Sequence, residues 1–210
     1  MNPIYLSYFL DSRTPAYGGK TNSVNIHLTK SILNGDTSND QTIEFPGHIG
    51  THIDFPFHFS SSGKKCEDYP ASFWIFNKVG FLTCKIEKVK DNLANLPSDI
   101  EILLLKTGFG SNRGESLYWA NQPIIPSHFA ELFREKFPEL RVFGFDMISL
   151  TSKLDRVEGK AAHINFLIKN EILILEDMNL VELFIKPSKV LIAPLQMKEA
   201  SGVPCNVIAY

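Results

Sequence analysis

One run constrains the fold more than any other: His48-Ile49-Gly50-Thr51-His52-Ile53-Asp54-Phe55-Pro56-Phe57-His58. Its ionisable residues, His48, His52, Asp54 and His58, all fall on even positions. In an extended chain, successive side chains alternate between faces, so these four share one face. The odd positions, Ile49, Thr51, Ile53, Phe55 and Phe57, continued by Phe59, form an opposite face that is almost wholly apolar. A helix does not reproduce this pattern. At about 100° per residue, positions 48 and 52 would coincide while 54 and 58 turn away, and Gly50 and Pro56 disfavour a helix interior. The pattern predicts a strand with one face in the core and the other in a site. Pro56 ends its regular pairing or puts it at an edge, and Gly50 admits a close approach or an unusual turn.

Imidazole nitrogen and carboxylate oxygen together suit zinc, manganese or iron, and a carboxylate can bridge two ions. The alternative is a polar rim of unrelated surface histidines. Three of only six histidines in the chain lie in this run, with phenylalanines behind them, which favours a metal site.

Composition narrows the remaining classes. The formal net charge is −2 and the longest basic stretch is Lys64-Lys65, so no nucleic-acid surface is expected. No stretch approaches the ~18 apolar residues of a spanning helix, and Met1-Asn2-Pro3 does not open a basic-then-apolar leader. Cys66, Cys84 and Cys205 are widely spaced and odd in number, which suits reduced thiols in a cytoplasm better than a disulfide framework. With 210 residues and 44% hydrophobic content, the expectation is one domain spanning 1–210.

The rest reads as a mixed α/β (or α+β) core. Strands are expected at Val79–Val89, Glu101–Thr107, Val142–Asp146, Ile172–Leu175 and Lys189–Pro194. Ser127–Phe137 reads as a helix, with Ser127 as N-cap and Phe129, Leu132, Phe133 and Phe137 on one stripe. A short helix is expected over residues 161–168, carrying His163, and Glu176 closes the strand after it. From residues alone, His163 could be a satisfied half-buried histidine and Glu176 a capping or surface acid. Asn34-Gly35-Asp36 reads as a turn, His27 as structural or exposed, and His128 as a surface residue.

The run from His48 to His58 meets every fixed position of H-x-G-T-H-x-D-x-P-x-H, and in this it resembles the cyclase family, which includes bacterial kynurenine formamidases and isatin hydrolases. Leu103–Gly108 is similar to that family's strand ending in Thr-Gly. Gly144–Ser149 resembles its Gly-x-Asp-x-x-Ser stretch, and Ala162-His163 with Glu176–Leu180 resembles its later His and Glu-x-x-Asn-Leu segments. The resemblance implies a swivelling β/β/α fold and a homo-oligomer, dimer or tetramer. It also implies one or two divalent metals, zinc or manganese, held by His48, His52, Asp54, His163 and Glu176, with His58 as the catalytic proton-transfer group.

Such a metal lowers the pKa of a bound water to roughly 7, which suits hydrolysis of a small arylformamide or cyclic amide. A cyclase or dehydratase using the metal as Lewis acid, or a metal- or ligand-binding protein without turnover, are the alternatives. Thr51 is either a hydrogen-bonding group at the site or a β-branched residue of the core face. One departure stands out: relatives commonly end in Pro-x-Arg, where this chain has Pro204-Cys205-Asn206. A substrate carboxylate would then lack an arginine partner, so a neutral or weakly charged amide is expected.

Overall fold

The computed structural model describes residues 2–210. Its main sheet has nine strands: β1 (Ile4–Tyr5), β4 (His52–Asp54), β5 (Ile75–Phe76), β6 (Val79–Thr83), β7 (Ile102–Lys106), β8 (Val142–Phe145), β9 (Leu173–Glu176), β10 (Val190–Pro194) and β11 (Gly202–Ala209). The remaining pair, β2 (Asn25–Lys30) and β3 (Asp40–Glu44), forms a separate hairpin. Strand order in the sheet is β5-β10-β11-β4-β9-β8-β7-β6, with β1 pairing β11.

The sheet has two halves. From β6 to β9 the strands are parallel, and parallel neighbours require crossovers. Helix α1 (Val89–Asn92) lies between β6 and β7, α2 (Ser116–Ala120) and α3 (Phe129–Lys136) between β7 and β8, and α4 (Arg156–His163) between β8 and β9. Strands covered on both faces read as unbroken apolar runs, and Ile102 through Leu105 are fully buried. From β9 onward through β4, β11, β10 and β5 every pairing is antiparallel. β4 therefore sits at the seam, with β9 on one side and β11 on the other.

Mixed α/β architecture is as the sequence implies, but several elements differ from expectation. The strand expected over Val79–Val89 ends at Thr83. Beyond it Ile86, Val89 and Leu93 are buried; their spacing of three and four is helical, and the chain turns through a 3₁₀ segment into α1. Helix α3 starts at Phe129 rather than after a Ser127 cap. The Ser127 N–H instead donates to Glu158 Oε1 at 2.6 Å. The helix carrying His163 begins earlier, at Arg156, because Asp155 Oδ1 caps the Val157 and Glu158 N–H groups. It continues past His163 as a π-helix, Ile164–Lys169.

The His48–His58 run is not one strand: only His52–Asp54 pairs. Gly50 has φ +59, a left-handed conformation favoured by glycine, and a Cβ there would lie 2.3 Å from Leu10 Cδ2. At the other end, Pro56–His58 forms a 3₁₀ turn. The four even-numbered groups still converge, but through a turn, a strand and a second turn. Ile49, Ile53 and Phe55 are buried as expected, whereas Phe59 lines the cavity described below. His27 and His128 are exposed, and Gly35 turns the chain between β2 and β3 at φ +90.

Candidate metal centre

Register places the key groups. In β4, His52 pairs with Glu176 of β9, and Asp54 pairs with Gly202 of β11. Directly paired residues share a face, so Glu176 projects beside His52, while Gly202 leaves the space beyond Asp54 open. His48 fills that space: a Cβ at Gly202 would stand 2.3 Å from His48 Cε1. His163 enters from the end of α4. His52, Asp54, His163 and Glu176 are between 1% and 4% exposed.

The hydrogen bonds fix which nitrogen faces the centre. His52 Nδ1 donates to the Gly50 carbonyl at 2.8 Å, and His163 Nδ1 donates to the Gly159 carbonyl at 2.8 Å. Each imidazole thus turns its Nε2 inward, the arrangement by which a hydrogen bond at one ring nitrogen orients a metal-ligating histidine. His52 Nε2 lies 3.4 Å from Asp54 Oδ1 and 3.3 Å from Glu176 Oε2. His163 Nε2 lies 3.5 Å from Asp54 Oδ2 and 3.7 Å from Glu176 Oε1. These separations exceed the ~2.7–2.9 Å of a charge-assisted hydrogen bond. His52 faces one oxygen of each carboxylate and His163 faces the other. The ligand atoms of His52, Asp54 and Glu176 lie within 4.8 Å of one another, a donor set that suits a divalent cation, with His163 beside it.

Electrostatics agree. Burial disfavours a charged imidazole, yet the carboxylates of Asp54 and Glu176 override it, raising His52 well above the usual histidine range and His163 to about 10. Burial also disfavours the carboxylate charge, but the histidines hold Asp54 well below the usual carboxylate range and Glu176 below it. The array calls for positive charge at its centre. Glu176 Oε1 is further held by the Leu150 N–H and by the Ser149 hydroxyl at 3.3 Å.

His48 and His58 sit at the outer edge. His48 Nδ1 lies 2.7 Å from Asp54 Oδ1, and its Nε2 lies 3.0 Å from Ser201 Oγ. The His58 ring stacks on His48 at 4.0 Å between centroids. Two donor sets, His52–Asp54–Glu176 and His48–Asp54–His58, each bring their ligand atoms within 4.8 Å of one another and share Asp54. Desolvation pulls the His58 imidazole below its usual value, with His48 and His163 adding to the effect and Asp54 opposing it. It is therefore mostly neutral near pH 7 and able to accept a proton. Phe59 stacks on His163 at 4.5 Å.

These groups open into a cavity of about 340 Å³ with an apolar wall of Pro15, Tyr17, Ile49, Phe59 and Ile148. Its lining holds no lysine or arginine. Thr51 faces away from it chemically: its hydroxyl donates to the Asp177 carbonyl and accepts the Tyr8 N–H at 3.1 Å, which settles it as a structural clamp. The Thr-Gly stretch and Asp146 are also architectural, whereas Ser149, which closes the Gly-x-Asp-x-x-Ser stretch, lines the cavity and holds Glu176. Asp146 accepts from Thr107 N–H at 2.8 Å, Thr107 hydroxyl at 2.6 Å and Gly108 N–H at 2.9 Å, tying the ends of β7 and β8 together. Asp177, Arg113 and Tyr118 form a buried cluster beside Glu176 that sequence reasoning missed. The positive φ of Asp177, +49, leaves no sequence signal, since aspartate is ordinary in most conformations.

A sheet seam carrying a buried histidine–carboxylate array beside a small apolar cavity marks a protein of mixed α/β class with a candidate metal site. The Cyclase family model matches residues 4–152. The kynurenine formamidase of Bacillus cereus (strain ZK / E33L) is 30% identical over 164 residues, covering 77% of this chain and 75% of that protein. That of Geobacillus thermodenitrificans (strain NG80-2) is 29% identical over 162 residues, covering 73% and 74%. The chain belongs to the cyclase family. Among solved structures, isatin hydrolase A from Labrenzia aggregata bound to benzyl benzoate aligns at TM-score 0.81 and 18% identity, over 99% of this chain and 93% of that one. A potential metal-dependent hydrolase with cyclase activity aligns at TM-score 0.76 and 19% identity, over 99% and 96%. These two share the fold. His163 and Glu176 lie beyond the segment matched by the family model.

Proposed function

We propose that residues 1–210 form a metal-dependent hydrolase that cleaves a small amide, an arylformamide or cyclic amide, by attack of water on the carbonyl. The observation that carries this reading is the pair of imidazole Nε2 atoms, each 3.3–3.7 Å from the two buried carboxylates of Asp54 and Glu176. The kynurenine formamidase relatives support the reaction class. His52, Asp54, His163 and Glu176 hold a zinc or manganese ion, and His48 with Asp54 offers a second position. A cation bound there supplies carbonyl polarisation and a lowered water pKa. His58 takes a proton from the attacking water and returns it to the departing nitrogen. The aromatic and aliphatic wall keeps bulk water from the reacting carbonyl.

Dialysis against a strong chelator is expected to abolish hydrolysis of N-formyl aromatic amines, isatin or small lactams, and added zinc or manganese to restore it. Full turnover by exhaustively metal-free protein would sink the proposal.

The cavity wall supports a neutral substrate, since a carboxylate would find no lysine or arginine along it. For an N-formyl aryl amine with and without a carboxylate, kcat/KM is expected to differ by less than about tenfold, roughly 1.4 kcal/mol of transition-state binding. A preference of a thousandfold or more for the acid would overturn this.

The free thiols Cys66, Cys84 and Cys205 support a reducing, cytoplasmic setting. Among the described residues no helix is long and apolar enough to cross a membrane. Homo-oligomerisation is supported by the β2–β3 hairpin, where Ile26, Leu28 and Ile43 are 46%, 56% and 54% exposed.

A further inference from the structure

Asp177 is the point where the segments that build the metal centre meet. Its N–H donates to the Met147 carbonyl at 2.8 Å. Its own carbonyl accepts the hydroxyl of Thr51, the neighbour of His52. Its carboxylate takes Arg113 Nε at 2.9 Å and Nη2 at 2.9 Å, and the Tyr118 hydroxyl at 2.6 Å. The Arg113 guanidinium in turn lies over the Tyr8 ring, 3.9 Å from its centroid, and Tyr8 N–H bonds Thr51. Every polar group of Asp177 is thus fixed from outside β9.

This anchoring coincides with unusual backbone. Asp177 has φ +49, a left-handed conformation that aspartate adopts more readily than most residues with a side chain but less readily than ordinary extended or helical backbone. The residue before it is Glu176, whose carboxylate faces His52 and His163. Released from its partners, Asp177 would relax toward ordinary backbone, and the turn leading out of β9 would rotate Glu176 with it. The Thr51 bond passes the same constraint to His52. Neither Arg113 nor Tyr118 lines the cavity; Asp177, which does, connects both of them to Glu176, and Tyr8 connects Arg113 to Thr51.

We propose that Arg113 and Tyr118 are positioning residues that hold Asp177 in its left-handed conformation and thereby aim Glu176 and His52 at the metal. This rests on the reading of the centre given above. A bidentate guanidinium–carboxylate pair sets orientation in a way that a lysine cannot, and loss of the groups that hold a metal's ligands in place typically weakens metal affinity about 10–100-fold.

The test uses Arg113→Lys and Tyr118→Phe in the full chain. Zinc affinity is measured by chelator competition on metal-free protein, alongside the melting temperature of that metal-free protein. Arg113→Lys is expected to weaken zinc binding at least about tenfold. Tyr118→Phe, which removes one hydrogen bond and little volume, should weaken it several-fold with the metal-free melting temperature close to wild type. If Arg113→Lys does not fold, Tyr118→Phe decides alone. A lowered melting temperature with zinc affinity within twofold of wild type would show that the cluster serves the fold only, and would overturn the inference. Failure of the wild-type chain to bind zinc or manganese at all would instead overturn the metal reading, so the two are separable.

Discussion

Replacing Asp54 with alanine is expected to remove metal and activity together. Asp54 is the one residue shared by both donor sets, and its two oxygens face different partners: Oδ1 faces His48 and His52, Oδ2 faces His163. Alanine deletes all three contacts at once and leaves His52 and His163 facing Glu176 alone. Metal catalysis contributes several kcal/mol of transition-state stabilisation, so the rate should fall by at least roughly 10³. Metal per chain, measured on the purified variant by elemental analysis, should fall well below wild type. Wild-type metal content in Asp54→Ala would remove this residue from the centre.

His58→Ala should separate chemistry from binding. His58 is exposed on the Pro56–His58 turn, stacks on His48 and belongs to the outer donor set with His48 and Asp54, not to the buried set of His52, Asp54 and Glu176. Its lowered pKa leaves it neutral near pH 7, the form that can accept a proton. The variant is expected to keep most of its metal yet lose roughly 10²–10⁴ in rate, the usual scale of general acid–base assistance. Metal loss equal to that of Asp54→Ala would make His58 a ligand and displace it from the proton-transfer role.

Much of the centre was legible because period-two alternation is strongly encoded where one face is core and the other a site. Ile49, Ile53 and Phe55 supplied that contrast, and the even-numbered groups did converge. What the alternation could not show is how short the pairing is. Gly50 and Pro56 were readable as disturbances, but the left-handed turn and the 3₁₀ turn they produce depend on Leu10 and on the chain after Pro56. His163 and Glu176 were ambiguous as residues, since nothing local distinguishes a ligand from a buried histidine or a strand-end acid; family resemblance singled them out. Ser127 lies one residue before the observed cap, His128, and its N–H is taken by a distant acid, Glu158. The Arg113–Asp177–Tyr118 cluster joins positions 113, 118 and 177, and no spacing rule links residues so far apart.

The seam position of β4 bears on how the chain matures during synthesis. β4 ends at Asp54, while its two partners begin at Leu173 and Gly202. A nascent chain therefore presents His52 and Asp54 long before either neighbouring strand exists, and long-range pairings of this kind form late. Until then the histidines lack Glu176 and the Gly202 gap that receives His48. Gly202 opens β11, so the centre becomes whole only after that strand has been made, and an ion met earlier would find an incomplete set of donors. Metal capture would then follow the synthesis of both strands that flank β4.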